Sequence, residues 1–231
     1  MLWGITPVEA QATYGIAVER LRGQIHAGLI LPDEKLPPER QLADDIGISR
    51  VTLREALRVL ETDKYIHVKR GAHGGAFVSP IAVLQSLAVR RIARDLAAAM
   101  RVLEFRCANE AAIVRLAALR RGIPELKRLR VAHDTIQNAR APEILKQSET
   151  FFRLALGDAA HNTLLGAAVK QGHMEMFQPF ILQVAENASA PAYSRLLQAV
   201  EMQNEDAATH AMGELHALEW QALRARGKSA G

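Results

Sequence analysis

Residues 36–58, LPPERQLADDIGISRVTLREALR, decide the fold. Their pattern predicts two short helices joined by a tight turn. Pro38 and Glu39 open the first, which runs to about Ile46 before Gly47 stops it. Ser49 stands where its hydroxyl caps a second helix, running to about Thr62. On that helix Arg50, Arg54 and Arg58 recur four residues apart and share one face. Leu53, Leu57 and Leu60 make the opposite, apolar face. Such a helix packs one side in a core and offers the other to the major groove of DNA.

The flanking sequence completes the pattern. Upstream, Val8 to His26 has helical periodicity, with Pro7 before it and Gly28 after it. Downstream, Tyr65–Arg70 reads as a strand, Gly71-Ala72-His73-Gly74-Gly75 as a turn, and Ala76-Phe77-Val78 as a returning strand. A helix, a helix-turn-helix and a two-stranded wing in this order form a winged helix. Ser79-Pro80 is the expected domain boundary. Beyond it the sequence predicts only helices, near 82–98, 100–120, 124–139, 142–159, 163–187, 190–203 and 206–225, with a kink at Pro179. The chain is therefore expected to be mainly α: a winged helix-turn-helix domain over residues 1–79, an all-α helical-bundle domain over 80–226, and a flexible tail over 227–231.

Composition narrows the function. Apolar residues make up 49%, enough for a core, while aromatics at 5% leave Ala, Leu, Val and Ile to build it. No apolar run is long enough to span a bilayer, and the start carries no basic residue ahead of an apolar stretch, as a signal peptide would. The one cysteine, Cys107, excludes an internal disulfide and fits a reducing cytoplasm, the expected location. The net charge of +4 does not locate a DNA-binding face. Residues 1–80 hold ten Lys/Arg and ten Asp/Glu, so the excess lies wholly in the helical part. The local arginine stripe, with Lys69 and Arg70 beyond it, carries the inference instead. The glycine cluster at 71–75 lacks the Lys-Ser/Thr and following helix of a phosphate loop, and no Ser/His/Asp or Cys/His constellation is present, so an enzyme is not expected.

LPPERQLADDIGISRVTLREALRVLETDKYI followed by RGAHGGAFV closely resembles the DNA-binding domain of GntR-superfamily transcription regulators, over nearly all of residues 10–79. The remainder resembles the FadR-type effector domain, FCD. It does so through Glu104-Phe105-Arg106 with Glu110, through Phe152 with Ala159-Ala160-His161-Asn162 and Leu165, and through Ala199-Val200. The first resemblance implies that Arg40, Arg50 and Arg54 contact DNA, assisted by Ser49 and Thr52, and that Arg70 and Gly71 set the wing over the backbone or minor groove. A bidentate arginine on guanine discriminates by roughly 1–3 kcal/mol. Arg58, over two turns into the helix, either joins them or is simply solvated. One departure is Lys64, where the family usually has a glycine in left-handed conformation. Lysine there costs up to about 1 kcal/mol, or the turn differs.

The second resemblance brings its own departure. Many FCD domains hold a divalent metal with one aspartate and three histidines, beginning Asp-x-x-x-His on one helix. Here those positions read Glu149 and Arg153, then Tyr193, then Leu215, or His216 if the register slips by one. A guanidinium has no lone pair to donate, so no metal or other cofactor is expected. A guanidinium at that place instead suits a carboxylate held bidentately. Arg106, Tyr193, Asn162, Glu149 and His216 are the other expected members of a pocket for an anionic effector, an organic acid or acyl thioester. Equally open is a plain Glu149–Arg153 pair that fills the hole. The expectation is a homodimeric, ligand-responsive regulator on a palindromic double-stranded operator, a repressor, with activation equally compatible. The alternative is a DNA-binding protein whose helical domain only dimerises.

Overall fold

The computed structural model of the chain describes residues 13–71, 74–176 and 188–229, with side chains to residue 226. Helix α1 spans Thr13–His26; the expected start at Val8 and the expected kink at Pro179 lie outside the described residues. Helices α2 (Glu39–Ile46) and α3 (Arg50–Thr62) follow, then strands β1 (Ile66–Lys69) and β2 (Gly75–Val78). The helical part comprises α4 (Ile81–Arg94), α5 (Leu96–Arg120), α6 (Ile123–Asn138), α7 (Pro142–Ala159), α8 (Thr163–Glu175), α9 (Ala190–Glu201) and α10 (Glu205–Ser229).

The winged-helix core collects Val18, Leu21 and Ile25 of α1, Leu42 of α2, and Leu53, Leu57 and Leu60 of α3 under Ile66 and Val78 of the wing. The apolar face of α3 is thus the one the leucine spacing predicts. Two stop signals are built as expected. Gly47 has φ +80 at the end of α2, and the Ile48 amide reaches back to the Ala43 carbonyl. Lys64 has φ +63, and the Tyr65 amide reaches the Leu60 carbonyl. The lysine therefore adopts the left-handed turn that glycine usually serves. The wing is antiparallel, pairing Ile66 with Val78 and Lys69 with Gly75.

Helix boundaries differ from expectation at three places. Helix α8, expected over 163–187, ends at Glu175, where Met176 turns to extended backbone (φ −80, ψ 90). The break expected between 98 and 100 falls at Asp95, whose carboxylate accepts from the Ala98 amide and caps α5. Continuous apolar periodicity hides this capping aspartate. At the other end α10 continues to Ser229, past Gly227, because one glycine costs a helix only about 1 kcal/mol. The expected boundary at Ser79-Pro80 marks the start of α4. Leu84 and Ala88 of that helix still belong to the winged-helix core, while Ile92 joins Leu103, Met176 and Leu223 in a third cluster. Helix α4 is shared between both halves of the molecule.

The larger core packs α5, α6, α7, α8, α9 and α10 around Ile113, Phe152, Tyr193, Leu196 and Leu215. Its helices approach closely where glycines face one another. A Cβ on Gly157 of α7 would stand 3.4 Å from Gly166 of α8, and one on Gly172 would stand 2.9 Å from the side chain of Arg106. The second approach draws Arg106 of α5 against α8 and sets the geometry of the buried site.

Candidate nucleic-acid interface and buried charged site

On α3, Arg50, Arg54 and Arg58 are exposed on one face, while Leu53, Ala56, Leu57 and Leu60 are buried on the other. The Ser49 hydroxyl accepts from the Thr52 amide at 3.1 Å and bonds the Thr52 hydroxyl at 2.8 Å, so both expected hydroxyls shape the helix start. Arg54 donates to Glu39 of α2 at 2.8 Å across an exposed contact, a pair of small energetic weight. Arg40 lies exposed in the first turn of α2, and Arg70 and Gly71 (φ +104) lie exposed at the end of β1. The structure therefore gathers the expected DNA-facing residues on the helix-turn-helix and wing. Sequence periodicity missed Val51, 67% exposed beside Arg50.

The helical domain encloses a second constellation. Arg106 and Glu110 of α5 are each 1% exposed and Arg153 of α7 is 3% exposed. Glu110 is the hub. One oxygen lies 3.2 Å from Arg106 Nε and accepts from His173 Nε2 at 2.9 Å; the other accepts from Arg153 and from His216 Nε2 at 2.8 Å. Arg153 Nε donates to the Tyr193 hydroxyl at 3.0 Å, and its Nη2 donates to Glu219 at 2.9 Å. The other Glu219 oxygen accepts from Arg106. Two guanidiniums and two carboxylates thus form a closed ring.

The electrostatics follow from burial and pairing. Burial opposes a charge on Glu110, but Arg153 and Arg106, with both imidazoles donating, hold its carboxyl well below the usual range. Burial likewise opposes the Arg153 charge, yet Glu110 and Tyr193 raise its pKa above the ordinary value. For Arg106 the loss of water outweighs Glu110 and lowers the pKa; an arginine still keeps its proton at neutral pH. Burial pushes His173 down to about 3 and lowers His216. Both imidazoles are therefore neutral and donate through Nε2, because an ionised carboxylate only accepts. Burial, with Arg106 beside it, lowers Lys146 to about 8. Its ammonium has no hydrogen-bond or ion-pair partner among the described residues.

Of the expected pocket residues, Arg106, Arg153, Tyr193 and His216 converge. Glu149 stands at the margin, where it accepts from the Ser189 hydroxyl at 2.8 Å. No Glu149–Arg153 ion pair forms; Arg153 turns to Glu110 and Glu219 instead. Asn162 is not with them. Its side chain caps α8 by accepting from the Leu165 amide, about 16 Å along that helix from His173 at 1.5 Å per residue. Leu215 is core and His216 faces the site. Glu219, His173 and Lys146 are additions. Glu110 accompanied the Glu104-Phe105-Arg106 motif in the resemblance, but its role as hub had no local signal.

A divalent metal of the kind common in FCD domains does not suit these residues. The Arg153 guanidinium takes one ligand position, and two guanidiniums flank Glu110, the fully buried carboxylate among the described residues, where a cation would be repelled. Among the described residues no three His, Cys, Asp or Glu side chains are arranged to hold a metal, and no helix is long and apolar enough to cross a membrane.

Comparison with known proteins accords with this two-part architecture. Residues 13–78 match the family described as bacterial regulatory proteins, gntR family, and residues 101–218 match the FCD domain. The chain is 32% identical over 154 residues to a protein of Escherichia coli (strain K12) provisionally named an L-lactate dehydrogenase operon regulatory protein, covering 64% of this chain and 58% of that one. It is 30% identical over 145 residues to the Uxu operon transcriptional regulator of the same organism, covering 61% and 55%. The matched region thus spans less than two thirds of the length of these curated relatives. In fold it resembles E. coli McbR/YncC, with TM-score 0.54 and 21% identity over 93% of this chain and 98% of that one.

Proposed function

Because the chain belongs to the GntR family of bacterial regulatory proteins, in the branch that carries an FCD domain, we propose that it is a sequence-specific transcription regulator whose helical domain senses a small anionic metabolite. Arg50 and Arg54 read base edges in the major groove, Arg40, Ser49 and Thr52 position the backbone, and Arg70 and Gly71 place the wing. A homodimer presents two such units to a palindromic operator. Arg106 and Arg153 take the carboxylate of an organic acid or acyl thioester, with Tyr193 and His216 as hydrogen-bonding neighbours and Glu149 at the rim. Binding alters the relative placement of the DNA-binding domains and so the operator affinity.

The observation that carries this reading is the pair of buried guanidiniums converging on a carboxylate inside a helical domain. Two buried arginines are a costly way to fill a core that apolar residues would fill as well, and a planar fork is suited to a carboxylate. The test is thermal melting of the full-length protein against organic acids, sugar acids and acyl thioesters, with chelator present. A ligand at 100 times its Kd adds about 2.7 kcal/mol, several degrees for a protein of this size. A shift that persists in chelator and alters operator binding supports the reading.

One observation favours a second reading, in which the helical domain only dimerises. Both guanidiniums already have carboxylate partners within the chain. The absence of any shift across the panel, with operator binding intact, would select it.

A further inference from the structure

If Arg106 and Arg153 form an anion site, it already holds a carboxylate of the chain itself. We infer that Glu219 is the resident intramolecular ligand of that site, and that an outside carboxylate binds by displacing it. The inference rests on the sensing function proposed above and adds to it a competitor, a site of displacement and a route to the DNA-binding half.

The two carboxylates of the ring are not equivalent. Glu110 is 1% exposed, accepts from Arg153, His173 and His216, and is ion-paired with Arg106 at 3.2 Å. Removing it would leave the His173 and His216 N–H groups without their acceptor in the interior and the two guanidiniums with Glu219 alone. Glu219 is 21% exposed and, among the described residues, accepts from the two arginines alone, one for each oxygen. This bridging arrangement is the one a free carboxylate would adopt between two guanidinium forks. This partly exposed carboxylate exchanges for an incoming one without change of the charge facing the two guanidiniums and without burying an unpaired group. The neighbouring ammonium of Lys146, with no partner among the described residues, gives an external anion a further cation that Glu219 does not use.

Displacement has a mechanical consequence. Glu219 belongs to α10, and the residues that follow it, Trp220 and Leu223, pack with Ile92 of α4, Leu103 and Met176. Helix α4 begins three residues after the wing ends and contributes Leu84 and Ala88 to the winged-helix core. Releasing Glu219 therefore frees the turn of α10 that clamps the helix leading to the DNA-binding half. A tethered carboxylate also acts as a competitor at high effective concentration, so it lowers the apparent affinity for every external anion and sets the threshold of response.

The test is chemical rescue in the full-length chain. Glu219→Ala removes a two-carbon carboxylate fragment, which acetate replaces. The variant is expected to melt below the wild type. Sodium acetate should raise its melting temperature by several degrees more than sodium chloride of equal ionic strength, and the wild type should show little acetate-specific gain. Should Glu219→Ala not fold, Glu219→Gln serves: it keeps the shape but loses the charge, and acetate should bind it about tenfold or more tightly than the wild type. Acetate stabilising neither variant beyond chloride would overturn the inference. If the wild type meanwhile responds to an organic acid, sensing stands and only the displacement of Glu219 falls. Rescue of the variant together with a silent wild type across the acid panel would uphold Glu219 as the bound carboxylate and count against sensing.

Discussion

Nδ1 of His26 lies 3.0 Å from the carbonyl oxygen of Met174, so α1 of the winged helix is tied to α8 one residue beyond the His173 that holds Glu110. The Tyr65 hydroxyl lies 3.1 Å from the other ring nitrogen. In the neutral tautomer Nδ1–H donates to Met174 and Nε2 accepts from Tyr65. Together with the Thr150 hydroxyl donating to the Ala27 carbonyl at 2.7 Å, this contact joins the DNA-binding half to the buried charged site. Met174 also fills the space above Gly23, where a Cβ would stand 2.7 Å from its methyl.

The joint predicts an acid-sensitive fold. Burial, and then Arg91, lower His26 to about 3 from 6.5, and burial lowers His173 to about 3. Folded pKa values below the unfolded ones mean that the unfolded chain binds the extra protons. Stability is therefore full above about pH 6.5 and falls as pH drops toward 3. Each histidine contributes about 1.4 kcal/mol per pH unit in that window. Urea denaturation should show a loss of about 2–3 kcal/mol between pH 7.5 and 5.5. His26→Gln should be less stable at pH 7.5 but show a shallower slope; an unchanged slope would mean that His26 is not held neutral.

Arg153→Met should destabilise the fold by about 3–5 kcal/mol, since it leaves Glu110 buried and undercompensated. The double substitution Arg153→Met with Glu110→Gln should recover part of that loss, because the stranded charge goes with its partner. Urea titrations of the two variants check this, and additive losses would contradict the hub geometry.

Chelator should leave the melting temperature of the purified wild type unchanged, because the Arg153 guanidinium occupies the place of a metal ligand. A fall in melting temperature on adding EDTA, restored by a divalent cation, would contradict this.

On the DNA side, Arg50→Ala should weaken binding to a selected operator by about 1–3 kcal/mol while changing non-specific binding much less. Arg70→Ala should weaken both alike and reduce the salt slope by about one. Fluorescence anisotropy at several salt concentrations distinguishes base reading from backbone contact.

Lys64→Gly should stabilise the fold by up to about 1 kcal/mol without altering operator affinity, since φ at Lys64 is +63. A destabilised variant would imply that the lysine side chain, and not the turn, is what matters there.

The helix-turn-helix was legible because its signals are local. Ser49 capping α3, the left-handed turns at Gly47 and Lys64, the four-residue arginine repeat and the leucine face each depend on neighbours within a turn or two. Short-range geometry specifies them whatever the rest of the chain does. Three boundaries escaped the same reasoning: Asp95 was hidden in an apolar run, Gly227 was too weak a stop, and α8 ends at Glu175, where the sequence carries neither glycine nor proline.

The sequence by itself thus determined a winged helix followed by a helical domain, and marked Arg153 as incompatible with a metal ligand set. Tertiary structure alone decided what Arg153 does instead. Its partner is Glu110 on α5 and Glu219 on α10, not Glu149 one turn away on its own helix. Spacing along one helix shows which residues share a face, but the packing rotation of each helix decides which faces meet. The ring of Arg106, Glu110, Arg153 and Glu219 depends on three helices, with Gly172 of a fourth admitting Arg106. No local pattern encodes that meeting; the burial of the surrounding apolar residues enforces it.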